Sequence, residues 1–239
     1  MNFQGKTAFV TGAGKGIGRS VAEGLARGGA SLILADINEA NLTETAMSCE
    51  ALGARVKRIT LDVSDEAAVR ASIAESVEEF GQIHILINNA GVYRGSDFLT
   101  SDSADWKRYI DINILGTMVP THALLPHMIE HGYGRIVNIG SVAGVYGISY
   151  MVDYSMTKGA IIAFTKALAK LVSGKGVTVN CVSPGSIDVT GKNPPNDQSF
   201  VGRMGTPEEC ASVILFVASD EARYVSGQNY QVDGCRKMM

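Results

Sequence analysis

Tyr154 and Lys158 stand four residues apart in Asp153-Tyr154-Ser155-Met156-Thr157-Lys158, a spacing that puts both side chains on one face of a helix. A phenol beside an ammonium group can exchange protons. To work near neutrality a tyrosine must lose about three units from its reference value near 10, worth roughly 4 kcal/mol, and a neighbouring cation is one source of that shift. Ser141 follows an apolar run, where its hydroxyl can steady a reacting oxygen. Asn113 lies in an earlier long helical segment and can position a water beside Lys158. Each has a plainer reading, since surface helices carry Tyr-Lys pairs, serines end strands and helix asparagines face water. Together they describe proton exchange with an alcohol or ketone oxygen.

A second constellation supplies what proton exchange lacks. Thr11-Gly12-Ala13-Gly14-Lys15-Gly16-Ile17-Gly18 lies where the first apolar run hands over to the first helical segment. Glycines at 12, 16 and 18 let the backbone turn and approach a pyrophosphate over the positive end of a helix. Leu32-Ile33-Leu34-Ala35-Asp36 ends in an acid 18 residues after Gly18, from which a carboxylate reaches an adenosine ribose. Asp36 favours NAD over NADP, because a 2′-phosphate about 4 Å away would meet repulsion on the order of 4 kcal/mol per unit charge. Lys15 is the counter-indication, a cation in the loop that could greet such a phosphate or pair with Asp36. Asp62-Val63 and Asn88-Asn89-Ala90-Gly91 fit the same end, the first pair for adenine and the second where small residues admit a cofactor.

The elements that must position these residues are legible as alternation. Short runs near 7–10, 31–34, 56–59, 83–87, 135–139 and 177–180 are mostly Val, Ile and Leu, with a seventh near 230–232. Such strands are covered on both faces, which predicts a parallel sheet. Helices are expected near 17–28, 39–52, 65–80, 102–129, 153–173 and 206–218. The fold class is therefore α/β, one doubly wound domain over 1–239 with a seven-stranded parallel sheet and helices on both faces, and ligands at the carboxyl ends of the strands.

Composition narrows the function classes. With 21 basic and 24 acidic side chains the formal charge is −3, which gives no electrostatic case for nucleic acid. Residues 1–6 lead into a polar turn and no apolar run approaches a membrane span, so a cytoplasmic protein with no membrane partner is expected. Cys49, Cys181, Cys210 and Cys235 are scattered without a CxxC pair, as expected of reduced thiols. His84, His122, His127 and His131 lack metal-ligand spacing, and no metal is expected.

On these motifs the chain resembles the short-chain dehydrogenase/reductase family over nearly its whole length, its 3-oxoacyl carrier-protein reductase-like members included. The match runs through Thr11 to Gly18, Asp36, Asp62-Val63, Asn88 to Gly91, Asn113, Ser141, Tyr154, Lys158, Pro184-Gly185 and Val232-Asp233-Gly234. The resemblance implies hydride transfer between nicotinamide and a small-molecule secondary alcohol or ketone. Tyr154 acts as acid/base, Ser141 steadies the oxygen, Lys158 binds the nicotinamide ribose and lowers the tyrosine's pKa, and Asn113 anchors a water. It also implies a homo-oligomer, tetramer or dimer, built through two long helices.

The pattern departs from the family at three places. The threonine that often holds the carboxamide is replaced by Val189, leaving Thr190 or the backbone of Ile187 to serve. The substrate lid, 186–205, is short and carries Pro194-Pro195. Leu171 stands where relatives carry glutamate, which suits subunit packing or core. Val92, Tyr93, Arg94, Val142, Tyr146, Ile148, Met151 and Ser186 are expected around the substrate. Two other readings stay open. One is an NADPH-dependent 3-oxoacyl carrier-protein reductase, against which stand Asp36 and His131-Gly132-Tyr133 in place of a basic cluster. The other is a dinucleotide-binding sensor without catalysis.

Overall fold

Side chains alternate between the two faces of a strand, so an unbroken apolar run has to be buried on both. Leu32 and Leu34 pack on one side of the sheet with Leu25, Ile85, Ile87 and Ile214. Ile33 and Ala35, their neighbours in sequence, pack on the other with Phe9, Leu86, Leu124 and Met128. The computed structural model describes residues 1–93, 95, 97–192 and 194–237.

Seven strands form one sheet: β1 (Thr7–Thr11), β2 (Ser31–Asp36), β3 (Val56–Thr60), β4 (Ile85–Asn88), β5 (Gly134–Ile139), β6 (Val177–Pro184) and β7 (Asn229–Val232). Their spatial order is β3-β2-β1-β4-β5-β6-β7 and every pairing is parallel. The winding reverses between β1 and β4, where Val10 pairs with Leu34 on one side and Ile87 on the other. A crevice opens at that reversal, outside the carboxyl ends of the strands.

The helices are α1 (Gly16–Arg27), α2 (Glu39–Ala51), α3 (Glu66–Phe80), α4 (Ser103–Tyr109), α5 (Gly116–Glu130), α6 (Val142–Tyr146), α7 (Val152–Leu171) and α8 (Pro207–Ala218). Most begin and end within two residues of expectation. The expected helix over 102–129 is interrupted, because a π-helical segment, Ile110–Leu115, joins α4 to α5 and contains Asn113. The five-residue α6 was not expected, although Ser141 caps it by accepting from the Ala143 amide at 3.1 Å.

Polar side chains beneath the crevice tie helices to strand ends. Asn88 Nδ2 donates to Asn138 Oδ1 at 2.8 Å and to Thr121 Oγ1 at 2.9 Å, while Asn138 Nδ2 donates to Thr165 Oγ1 at 2.9 Å. These bonds join β4, β5, α5 and α7 in one buried network. Such networks set a unique packing, and here that packing fixes the helix bearing Tyr154 and Lys158. Among the described residues no helix is long and apolar enough to cross a membrane.

Candidate active site

At the carboxyl end of β1, Thr11 is fully buried and its Oγ1 accepts from the amides of Asn89 and Ala90, each at 3.1 Å. Asn89 returns the contact, donating through Nδ2 to the Gly12 carbonyl at 2.8 Å. The two loops are laced so closely that side chains have no room. A Cβ on Gly18 would lie 2.1 Å from the Gly12 carbonyl oxygen, and one on Gly12, which has φ +63, would lie 2.8 Å from the Ala90 Cα. Gly16 also needs a left-handed φ, +56. Lys15, exposed, is the N-cap of α1 but gives no side-chain cap, so the first amides of that helix face the crevice without a side-chain acceptor. Bare amides under a glycine cradle fit a dinucleotide pyrophosphate.

Asp36 is fixed at the end of β2. Its two oxygens accept from the amides of Gly14 at 2.8 Å and Asn38 at 2.9 Å, not from Lys15, with which it forms no ion pair among the described residues. Asp62 is exposed and receives Ser64 through both amide and hydroxyl, which hold its carboxyl below the usual range. Val63 is buried and packs against Gly116, where a Cβ would come within 2.7 Å.

Ser141, Tyr154 and Lys158 converge on a cleft of about 370 Å³ that also receives Ile17, Asn89, Gly91, Pro184, Gly185 and Ile187. The convergence has a local cause. Helix α6 begins at its Ser141 cap and runs against α7 so tightly that a Cβ on Gly144 would sit 2.4 Å from the Lys158 carbonyl carbon. Lys158 is 5% exposed and donates to the Ile139 carbonyl at 2.8 Å. Gly91 lies beside both Asn113 Oδ1 and Lys158 Nζ, at 3.1 and 3.6 Å from where its Cβ would be. Asn113 is fully buried, accepting from the Val92 amide at 2.8 Å and donating to the Val92 carbonyl at 3.0 Å and Thr157 Oγ1 at 3.1 Å. It therefore clamps the loop after β4 to α7. A π-helical turn displaces side chains from α-helical register and recurs at functional sites.

Burial pushes the Tyr154 phenol up to about 12, with Ser141 pulling it down and Tyr93 and Tyr109 adding to the rise. Lys158 Nζ donates to the Ile139 carbonyl and stands 5.8 Å from the Tyr154 ring centre. Burial pulls the lysine itself down to about 8.

Beyond β6 the expected contacts divide. Gly185 donates to the Val232 carbonyl at 2.9 Å, and a Cβ on it would lie 2.8 Å from the Asp233 Cα. Ile187 forms a parallel bridge with Gly205 in which Ser186 accepts and Asp188 donates, leaving the amide and carbonyl of Ile187 itself turned away from that bridge. Thr190 is not brought to the cleft. Its hydroxyl and amide both bond Asp188 Oδ1, at 2.6 and 2.8 Å, and Val189 lines the cleft instead. Of the expected substrate residues, Val92, Tyr93, Val142, Ile148, Met151 and Ser186 line the cleft. Tyr146 turns aside to donate to Gln231 Oε1 at 2.5 Å, and Arg94 lies outside the described residues. Ala143, Tyr150, Gln198, Met204 and Arg236 also line the wall without having been foreseen. The last three are brought there by tertiary pairing that leaves no periodic trace.

The sequence model of the short chain dehydrogenases matches residues 6–199. The chain belongs to that family. The 3-oxoacyl-[acyl-carrier-protein] reductase of Thermotoga maritima is 36% identical to it over 98% of each chain. The short-chain reductase protein NovJ of Streptomyces niveus is 39% identical over 98% of this chain and 94% of its own length. The (2S)-[(R)-hydroxy(phenyl)methyl]succinyl-CoA dehydrogenase subunit BbsD of Thauera aromatica is 35% identical over 100% of this chain and 99% of its own. As a short-chain dehydrogenase, the protein is an oxidoreductase.

Proposed function

We propose that this short-chain dehydrogenase interconverts a secondary alcohol and a ketone, that the ketone is a 3-oxoacyl group, and that NAD(H) is the preferred cofactor. The convergence of Ser141, Tyr154 and Lys158 on one cleft with the glycine loop carries the reading. The similarity to 3-oxoacyl-[acyl-carrier-protein] reductases supports the acyl substrate. Asp36, with both oxygens fixed beside Gly14 and Asn38, supports NAD(H) by repelling a 2′-phosphate.

When bound, the dinucleotide supplies the hydride. Gly12, Lys15, Gly16, Ile17 and Gly18 hold its pyrophosphate side, Asp36 its adenosine ribose, and Asp62 and Val63 its adenine. Asn89, Ala90, Gly91 and Lys158 take the nicotinamide ribose side, while Pro184, Gly185 and the backbone of Ile187 take the carboxamide side. Tyr154 gives its phenolic proton to the ketone oxygen, Ser141 donates a hydrogen bond to the same oxygen, and Asn113 keeps Val92 and α7 in register. A phenol held near 12 rests protonated, the form that reduction needs. Exposed Met118 on α5 and Met156 and Leu171 on α7 support a homo-oligomer assembled through those helices, with Leu171, 65% exposed, outside the core.

The test is steady-state reduction of an acetoacetyl thioester with NADH against NADPH. The expected result is turnover with the higher kcat/KM for NADH. A preference for NADPH would overturn the cofactor half. Tight NADH binding with no turnover of any ketone or alcohol would replace the enzyme by a dinucleotide-binding sensor.

A further inference from the structure

The carboxyl-terminal tail does not end at β7. Gly234 and Cys235 both adopt left-handed backbone, φ +63 and +57, and Cys235 is the one non-glycine residue to do so among the described residues. Strain of this kind persists where the surrounding structure enforces it. Here the double turn sends the tail back across the lid. The Phe200 amide donates to the Cys235 carbonyl at 3.0 Å, the Val201 amide to the Gly234 carbonyl at 3.2 Å, and the Lys237 amide to the Gln198 carbonyl at 2.9 Å. Ser199 and Arg236 form the antiparallel bridge between them.

The two tail cations have different surroundings. Lys237 Nζ stands 5.5 Å from the centre of the Phe200 ring, fastening the strap to the lid. Arg236 lines the cleft that holds Tyr154, Ser141 and Gln198. Among the described residues Arg236 has no ion-pair partner, and the charged side chains in the cleft wall are Lys158 and Arg236 with no carboxylate among them. Lys158 already donates to Ile139. A guanidinium without an ion pair, carried by a residue of the wall of a largely apolar cleft, attracts an anion in the fork geometry that carboxylates and phosphates share.

We propose that Arg236 is a specificity-determining residue, and that the substrate is a ketone or alcohol carrying a carboxylate or phosphate group that its guanidinium receives. This rests on the proposed alcohol–ketone chemistry of the cleft. It concerns the end of the substrate remote from the reacting oxygen, so no bond is made or broken at Arg236.

A series of methyl 3-oxohexanoates whose terminal carbon bears hydrogen, a carboxylate or a phosphate tests it, with the full chain and its Arg236→Gln and Arg236→Lys variants. A charge-assisted, bidentate contact predicts that the wild type favours at least one anionic compound over the neutral one by roughly ten- to a hundredfold in kcat/KM. Most of the gain should lie in KM and shrink at high salt. Arg236→Gln should bring the anionic-to-neutral ratio near one, and Arg236→Lys should restore part of it. Which compound gains identifies carboxylate or phosphate. A wild-type ratio near one, or a loss in Arg236→Gln shared equally by all three compounds, overturns the proposal. Calorimetric titration of the same compounds reads the preference without turnover. An enzyme that reduces no ketone, the acetoacetyl thioester included, defeats the catalytic reading, while equal heats for anionic and neutral compounds defeat this one.

Discussion

Gly12 in the loop after β1 and Gly191 and Gly202 in the lid share left-handed backbone and differ in almost everything else. At Gly12 and Gly18 an added Cβ would meet backbone atoms at 2.8 and 2.1 Å, whereas at Gly191 and Gly202 it would meet nothing within 4 Å. The first set belongs to a hydrogen-bonded lattice of Thr11, Asn89 and Asp36. The second belongs to a surface loop held by three isolated bridges and a tail. One end has no room for a side chain. The other has open space around Gly191 and Gly202, and in the proposal made above the choice of substrate falls to a side chain, Arg236.

The largest effect that sharpens this contrast is expected at Gly18. Gly18→Ala must displace the Gly12 carbonyl, costing about 3 kcal/mol of stability by overpacking. NADH affinity should fall by about a hundredfold or more, read by fluorescence titration beside thermal melting. An alanine variant that binds NADH normally would break the claim that the loop is a fitted cradle.

Next comes Lys158, buried where the two ends meet. Its folded pKa is pulled by burial from 10.5 to about 8. Between pH 8 and 10 the unfolded chain therefore holds a proton that the folded one has lost, and stability rises with pH in that window. Urea unfolding should show the wild type gaining on the order of 2 kcal/mol relative to Lys158→Met from pH 8 to 10. A difference constant with pH would mean the lysine is not desolvated.

The smallest effect is expected at Gly191, with φ +72 and open space around it. Gly191→Ala should cost about 1 kcal/mol or less, through backbone strain alone. NADH titration should return the wild-type affinity.

The same contrast explains what could be read from the sequence. Strand runs such as Leu32–Leu34 and helix faces are local patterns, and the glycine loop, Asp36, Ser141, Tyr154 and Lys158 sit where those patterns change. β6 runs on to Pro184, past the expected end at 180, because Cys181–Pro184 pairs with β7, and distant pairing has no local signature. The π-helical turn at Asn113 is fixed by its bonds to Val92 and Thr157, also remote in sequence. Thr190 was expected at the cleft on chain position alone, and Asp188 two residues before it takes its hydroxyl. Arg236 enters the cleft only because the tail doubles back. The raised phenol of Tyr154 follows from its burial, which spacing on a helix does not give.

Tyr154→Phe tests the central claim most directly, because it removes one hydroxyl from the cleft and leaves the glycine cradle untouched. Turnover of the preferred ketone should fall by about 10²–10⁴-fold, the worth of a positioned acid/base, while the NADH dissociation constant moves little. A phenylalanine variant that reduces ketones at close to the wild-type rate would contradict the account.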